Sequence, residues 1–235
     1  MSTFVICHGA WSAGWAWKKV RPLLQAAGHE IHTPTYTGLG DRAHHSQASI
    51  GLDTHIEDTA AFIEYEDLTN VILVGHSYGG MVATGVAERM PSRLAKLVYL
   101  DAFVPRNGES VNQLVGEKSA ASRAVAATVG DGWLIPPNPS PSDTSAEDLA
   151  WIAPRRRWQP ARTFSQPVFL KHDNPGLPRS YIYCTRRGEV DRFGPFAERA
   201  KTETGWTYYE IDASHSPNVT APEALVDLLC DIAIR

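Results

Sequence analysis

Six short runs of β-branched and apolar residues recur along the chain: TFVICH (3–8), EIHTP (30–34), NVILVG (70–75), KLVYLD (96–101), SYIYCT (180–185) and TYYEID (207–212). Several lack the apolar–polar alternation of a half-exposed strand, as strands covered on both faces do. Between them, apolar positions recur with helical spacing over 16–27, 53–66, 78–90, 193–204 and 221–234. Gly28 and Pro91 stand where the first and third of these segments should stop. Strand alternating with helix predicts an α/β protein, with a mostly parallel sheet of about six strands flanked by helices.

The alternation lapses between Pro105 and about Pro178. This stretch carries PPNPSPSD (136–143) and three of the seven tryptophans, and shows no clear strand. A structureless loop of that length is foreign to a compact domain, so a helical cap inserted at about 105–178 is expected. The 235 residues otherwise suit a single domain, 1–235, large enough to bury a sizeable core.

Composition narrows the partners. A net charge of −4 gives no electrostatic reason to expect nucleic acid or an anionic membrane surface. No apolar run approaches the roughly 20 residues that span a bilayer. The start, MSTFVICHG, lacks a basic segment and a cleavage site, so no signal peptide is expected and the cytoplasm is the expected compartment. Cys7, Cys184 and Cys230 are an odd number, and buried free thiols are expected of them rather than a disulfide. Assembly as a homodimer is left open.

The chemistry centres on GHSYG (75–79), a G-x-S-x-G sequence. The strand run NVILV precedes it and the small-residue run GGMVATGVAE follows, so Ser77 falls on a sharp strand-to-helix turn that lifts its hydroxyl clear of the sheet. The following helix N-terminus favours negative charge developing there. A serine hydroxyl needs a base, and the chain order for such a turn is serine, acid, then histidine. Two histidines follow Ser77: His172 lies in the proline-rich insertion, whereas His215 lies in IDASHSP, between the last strand and the final helix. His215 is the expected base. The backbone N–H groups of Tyr78 and of Ala10, in HGAW (8–11), are the expected oxyanion donors.

These runs together resemble the α/β-hydrolase superfamily, and within it the plant methyl esterases and hydroxynitrile lyases with their bacterial esterase relatives. The likeness is densest in FVICHGAWSAGWAWKKVRPLLQAAGHEIHTPTYTGLG (4–40), VILVGHSYGGM (71–81), LVYLDAFVP (97–105), YIYCT (181–185) and HSP…APEAL (215–225). It covers most of the predicted sheet and little of the cap. The lyases of this group carry a threonine in the first loop and a lysine directly after the catalytic histidine. Here the loop reads His8-Gly9-Ala10, and Ser216 follows His215. The resemblance therefore implies a cofactor-free, metal-free serine hydrolase that cleaves carboxylic esters through an acyl-enzyme, on small to medium apolar or aryl substrates. A hydroxynitrile lyase or other C–C lyase is the alternative.

The acid has two candidate positions. The plant enzymes place theirs after the strand that reads YIYCT here, where this chain continues RRGEVDRF (186–193) and offers Glu189 or Asp191. Asp191 reads equally well as the cap of the next helix. Asp101 ends KLVYLD, a position used for the triad acid by some α/β-hydrolases such as the haloalkane dehalogenases. An acid closing an apolar strand is costly to bury without a partner, which favours Asp101 and leaves Asp191 as the alternative.

Around the site, Trp11, Trp133 and Trp158 are the expected pocket residues, with Trp151 and Phe164 elsewhere in the cap. Trp15 and Trp17 are expected to pack the first helix on the sheet. The arginines of PRRRW (154–158) read as a solvated face. His44 and His45 have no second ligand pair at metal-binding spacing, and GLG (38–40) lacks the third glycine of a dinucleotide loop.

Overall fold

In a computed structural model of the chain, residues 1–116, 119–171, 176–187 and 191–234 are described. The first half runs β1 (Thr3–Cys7), α1 (Val20–Ala26), β2 (Glu30–His32), α2 (Leu52–Tyr65), β3 (Val71–His76), α3 (Gly79–Arg89) and β4 (Leu94–Leu100). The stretch that follows holds α4 (Val111–Val115), α5 (Ser119–Val129), β5 (Leu134–Ile135), α6 (Ala146–Ile152), β6 (Gln159–Pro160) and α7 (Arg162–Ser165). The chain then returns through β7 (Arg179–Cys184), α8 (Gly194–Thr202), β8 (Trp206–Ile211), α9 (Pro217–Thr220) and α10 (Pro222–Ile234).

Six strands form one parallel sheet in the order β2-β1-β3-β4-β7-β8. Alternate residues of its central strands feed two cores. Val5, Cys7, Val71 and Leu73 pack with Val82 and Val86 of α3 and Ile56 of α2. Phe4, Ile6, Ile72 and Val74 pack on the other face with Leu24 of α1 and Leu225 and Leu229 of α10. Each such aliphatic side chain contributes on the order of 1.5–3 kcal/mol by leaving water. Burial on both faces is why these runs read as continuously apolar.

The sheet also dictates where chemistry can sit. From β1 the chain steps outward to β2 and then crosses back to β3 on the other side of β1. The connections after β1 and β3 thus leave in opposite directions, opening a crevice at the carboxyl ends of these two neighbours. The loop beginning at His8 and the turn at Ser77 meet there.

Two sequence expectations differ in detail. The helix expected over 16–27 is a 3₁₀ turn, Gly14–Trp17, followed by α1 from Val20. Pro22 is the cause, because proline fits only the first turn of an α-helix. The segment expected to hold no strand contains the antiparallel pair β5–β6, only two residues each and too short to show a period. Gly28 ends α1 with φ of 82°, a left-handed conformation that glycine adopts without a steric penalty.

Candidate active site

Ser77 follows the last residue of β3 with φ of 56°, a strained value for a residue with a Cβ. Its conformation is held from several sides. Its N–H donates to Leu100 O at 3.2 Å, and its carbonyl accepts from Gly80 N at 3.1 Å and Phe103 N at 3.2 Å. The turn closes tightly because α3 begins on glycines: a Cβ on Gly79 would overlap the carbonyl oxygen of Cys7. This brings the N-terminus of α3 directly under Ser77.

Ser77 Oγ lies 2.9 Å from His215 Nε2, and His215 Nδ1 lies 2.6 Å from Asp101 Oδ2. The carboxylate can only accept, so Nδ1 carries the ring proton and Nε2 is left as acceptor for the serine hydroxyl. Asp101 follows β4 with φ of 41° and is 5% exposed. Its other oxygen accepts from Cys184 N at 3.4 Å, so the buried carboxylate has donors on both oxygens. Phe193 stacks on the His215 ring at 4.8 Å between centroids, with 8° between the planes. Three loops, after β3, β4 and β8, therefore converge on one hydrogen-bonded line.

Asp191 is engaged elsewhere. Its oxygens accept from Tyr183 Oη at 2.7 Å, Arg187 Nη1 at 2.9 Å, Gly194 N at 2.8 Å and Phe193 N at 3.1 Å. Burial works against its ionisation, but these donors together hold the carboxyl below the usual range. It caps α8, and the His215 Nδ1–H donates its hydrogen bond to Asp101 instead. His172 and Glu189, the other sequence candidates, lie outside the described residues.

The loop after β1 reaches close to the serine. A Cβ on Gly9 would sit 3.3 Å from both Ser77 Cβ and His76 Nδ1, tighter than ordinary packing. Among the described residues, neither the Ala10 nor the Tyr78 N–H has a hydrogen-bond partner, and both residues line the cavity that holds Ser77.

Three histidines that sequence reasoning passed over support these loops. His76, directly before Ser77, donates from Nε2 to the carbonyl of His215 at 2.7 Å. His8 donates from Nδ1 to Gly9 O at 2.9 Å and accepts from Tyr36 N at 3.2 Å. His55 donates from Nε2 to Thr37 O at 3.1 Å and accepts the Tyr78 hydroxyl at 2.9 Å. Burial pushes all three imidazoles down to about 3, so they are neutral and each holds one fixed tautomer. Only the position of His76 inside the GHSYG motif gave any sign of this in the sequence.

The cavity over Ser77 has a volume of about 490 Å³. Of the tryptophans expected there, Trp11 lines it, and Trp133 and Trp158 do not. Trp133 is placed by the backbone at the start of the β5–β6 pair, with its carbonyl accepting from Ala161 N at 2.7 Å, and Trp158 stands just before β6. The aromatic wall comes instead from Trp15, Phe103, Phe164 and Phe193. Trp15 and Trp17 were both expected to pack the first helix on the sheet, and both pack in the core on that face, Trp17 fully buried and Trp15 partly, with Trp15 also reaching the cavity. Trp11 ties the first loop to the segment above: its N–H donates to Gln159 Oε1 at 2.9 Å and its indole N–H to Ile135 O at 3.0 Å.

Among the described residues, no cluster of His, Cys, Asp or Glu has the geometry to hold a metal ion, and no helix is long and apolar enough to cross a membrane.

Residues 4–228 match the model of a family described as the alpha/beta hydrolase family. The chain is 35% identical over 239 residues to a carbendazim hydrolyzing esterase of Nocardioides sp. (strain SG-4G), covering 97% of this chain and 98% of that protein. It is 25% identical over 247 residues to the putative methylesterase 13, chloroplastic, of Arabidopsis thaliana, covering 98% of this chain but 56% of that protein. In three dimensions it is similar to an extracellular alpha/beta-hydrolase from a Paenibacillus species, with a TM-score of 0.84, 24% identity and 98% of each chain covered.

Proposed function

The chain belongs to the alpha/beta hydrolase family and hydrolyses carboxylic esters, and we propose that it does so through Ser77, with His215 as base and Asp101 as the acid that orients it. The observation that carries this reading is the line of hydrogen bonds from Ser77 Oγ through His215 to Asp101, at 2.9 and 2.6 Å.

Ser77 Oγ attacks the ester carbonyl while its proton passes to His215 Nε2. The carboxylate of Asp101 stabilises the imidazolium that forms. Negative charge on the carbonyl oxygen is met by the N–H groups of Tyr78 and Ala10 and by the N-terminus of α3. Collapse of this intermediate expels the alcohol, which takes the proton from His215, and leaves an acyl group on Ser77. Water, deprotonated by His215, then releases the acid by the same sequence in reverse.

The segment 105–178 acts as a cap on a single domain. It supplies Val111, Val115, Ile152 and Phe164 to a cavity whose other walls come from the loops of the sheet. Those side chains, with Trp11 and Trp15, favour small to medium apolar or aryl esters. The proposed compartment is the cytoplasm, which suits three cysteines that all carry free thiols. The lyase alternative is the weaker reading, since Ser216 stands where the lyases have their lysine.

Rapid mixing with p-nitrophenyl acetate tests the reading. A burst of one p-nitrophenol per active site followed by slower turnover is expected, with no cyanide released from mandelonitrile. Cyanide release without ester turnover would overturn it.

A further inference from the structure

The cationic run at 154–158 does not behave as one face. Arg155 and Arg157 are exposed, whereas Arg156 is half-buried and lines the cavity above Ser77. Two contacts fix its guanidinium there. Nη1 donates to the backbone carbonyl of Asn138, and the group stacks 5.7 Å from the centroid of Trp11, one residue beyond the oxyanion loop. An arginine carries five N–H donors in a planar fork, so most of its donors remain available to the cavity.

Arg156 also lacks a counter-ion among the described residues. Two of the other cavity arginines are paired. Arg186 is paired with Asp212 through two hydrogen bonds at 2.8 and 2.9 Å, and Arg187 with Asp191 at 2.9 Å. Arg192 is exposed at the rim. Of the carboxylates on the lining, Asp101 is committed to His215 and Asp191 to four donors, and Asp143 is exposed. A guanidinium partly withdrawn from water without a counter-ion has a lowered pKa and is costly to keep charged, unless an anion completes it.

We propose that Arg156 is a carboxylate-binding subsite, so that the cavity takes esters carrying a free carboxylate, such as half-esters of dicarboxylic acids. This rests on the ester-hydrolase reading above and sets its specificity. The apolar walls receive the hydrocarbon part of the substrate, and the fork of Arg156 donates two parallel hydrogen bonds to the carboxylate. The stack on Trp11 places that charge at the edge of the oxyanion loop, so a correctly held carboxylate also orients the scissile carbonyl.

The test compares kcat/KM of the wild type with Arg156→Met and Arg156→Lys on two pairs of esters. Mono-p-nitrophenyl glutarate against p-nitrophenyl valerate puts the carboxylate on the acyl side, and 4-carboxyphenyl acetate against phenyl acetate puts it on the alcohol side. Arg156→Met is expected to cut kcat/KM about 10- to 100-fold on the charged member of one pair, with the neutral esters within about twofold. Arg156→Lys, a point charge without the fork, is expected to recover part of the loss. Equal loss on charged and neutral esters, or no loss on either charged ester, overturns the proposal. A wild type that turns over none of the four esters overturns the ester-hydrolase reading itself and the subsite with it.

Discussion

His76 and His215 are joined by a hydrogen bond from the ring of one to the backbone of the other, Nε2–H to carbonyl oxygen at 2.7 Å, and their rings lie 5.0 Å apart. The residue beside the nucleophile thus holds the loop that carries its base. Removing that donor leaves the His215 loop free to drift from Ser77. His76→Ala is expected to lower kcat about tenfold, the equivalent of one net hydrogen bond, with KM little changed. Steady-state kinetics on p-nitrophenyl acetate separate the two constants, and a rise in KM at constant kcat would contradict this role.

The two aspartates should part in mutagenesis. Asp101→Asn leaves His215 without the acceptor that fixes its tautomer, and kcat is expected to fall about 10⁴-fold. Asp191→Asn removes an acceptor that caps α8, and is expected to cost about 1 kcal/mol of stability with kcat within a fewfold of wild type. Urea melts and kinetics on the same two variants check both halves. Collapse of kcat in Asp191→Asn alone would reverse the assignment.

Stability should fall in mild acid. His8, His55 and His76 begin to take up protons near 6.5 in the unfolded chain but resist down to about 3 in the fold. The unfolded chain therefore binds more protons throughout that interval. Their contribution is complete above 6.5 and is lost as pH falls toward 3, with a slope of up to about 1.4 kcal/mol per histidine per pH unit. Urea midpoints measured from pH 7.5 to 5 report the slope, which is expected to be shallower in His55→Gln. A midpoint independent of pH over this range would contradict the buried neutral state.

Gly79→Ala tests the tightness of the turn. Its Cβ meets the Cys7 carbonyl, and backbone cannot rotate away as a side chain would. A loss of about 1–3 kcal/mol is expected from thermal or urea unfolding, with activity reduced because α3 must shift from under Ser77. Wild-type stability in this variant would show that the helix can move freely.

The sheet was legible because its strands are buried on both faces, which writes an unbroken apolar run at each of them. Ser77 and His215 were legible because the elements that place them are local: a strand running into a glycine-rich helix, and a loop between the last strand and α10. Asp101 was harder to read, since only its partner across the sheet explains an acid at the end of KLVYLD. Trp133 and Trp158 were misplaced for a related reason. Which ring faces the cavity depends on how the segment after β4 folds over the first loop, through bonds such as Trp11 to Gln159, 148 residues apart. Arg156 was hidden in the same way, one cation among three with the same local sequence signal and a different environment.

Mass spectrometry of the intact protein after treatment with a fluorophosphonate, followed by peptide mapping, tests the role of Ser77 most directly. One adduct per chain is expected, carried by Ser77 and abolished in Ser77→Ala. A wild type that stays unlabelled, or an adduct that persists in Ser77→Ala, would contradict a nucleophilic Ser77.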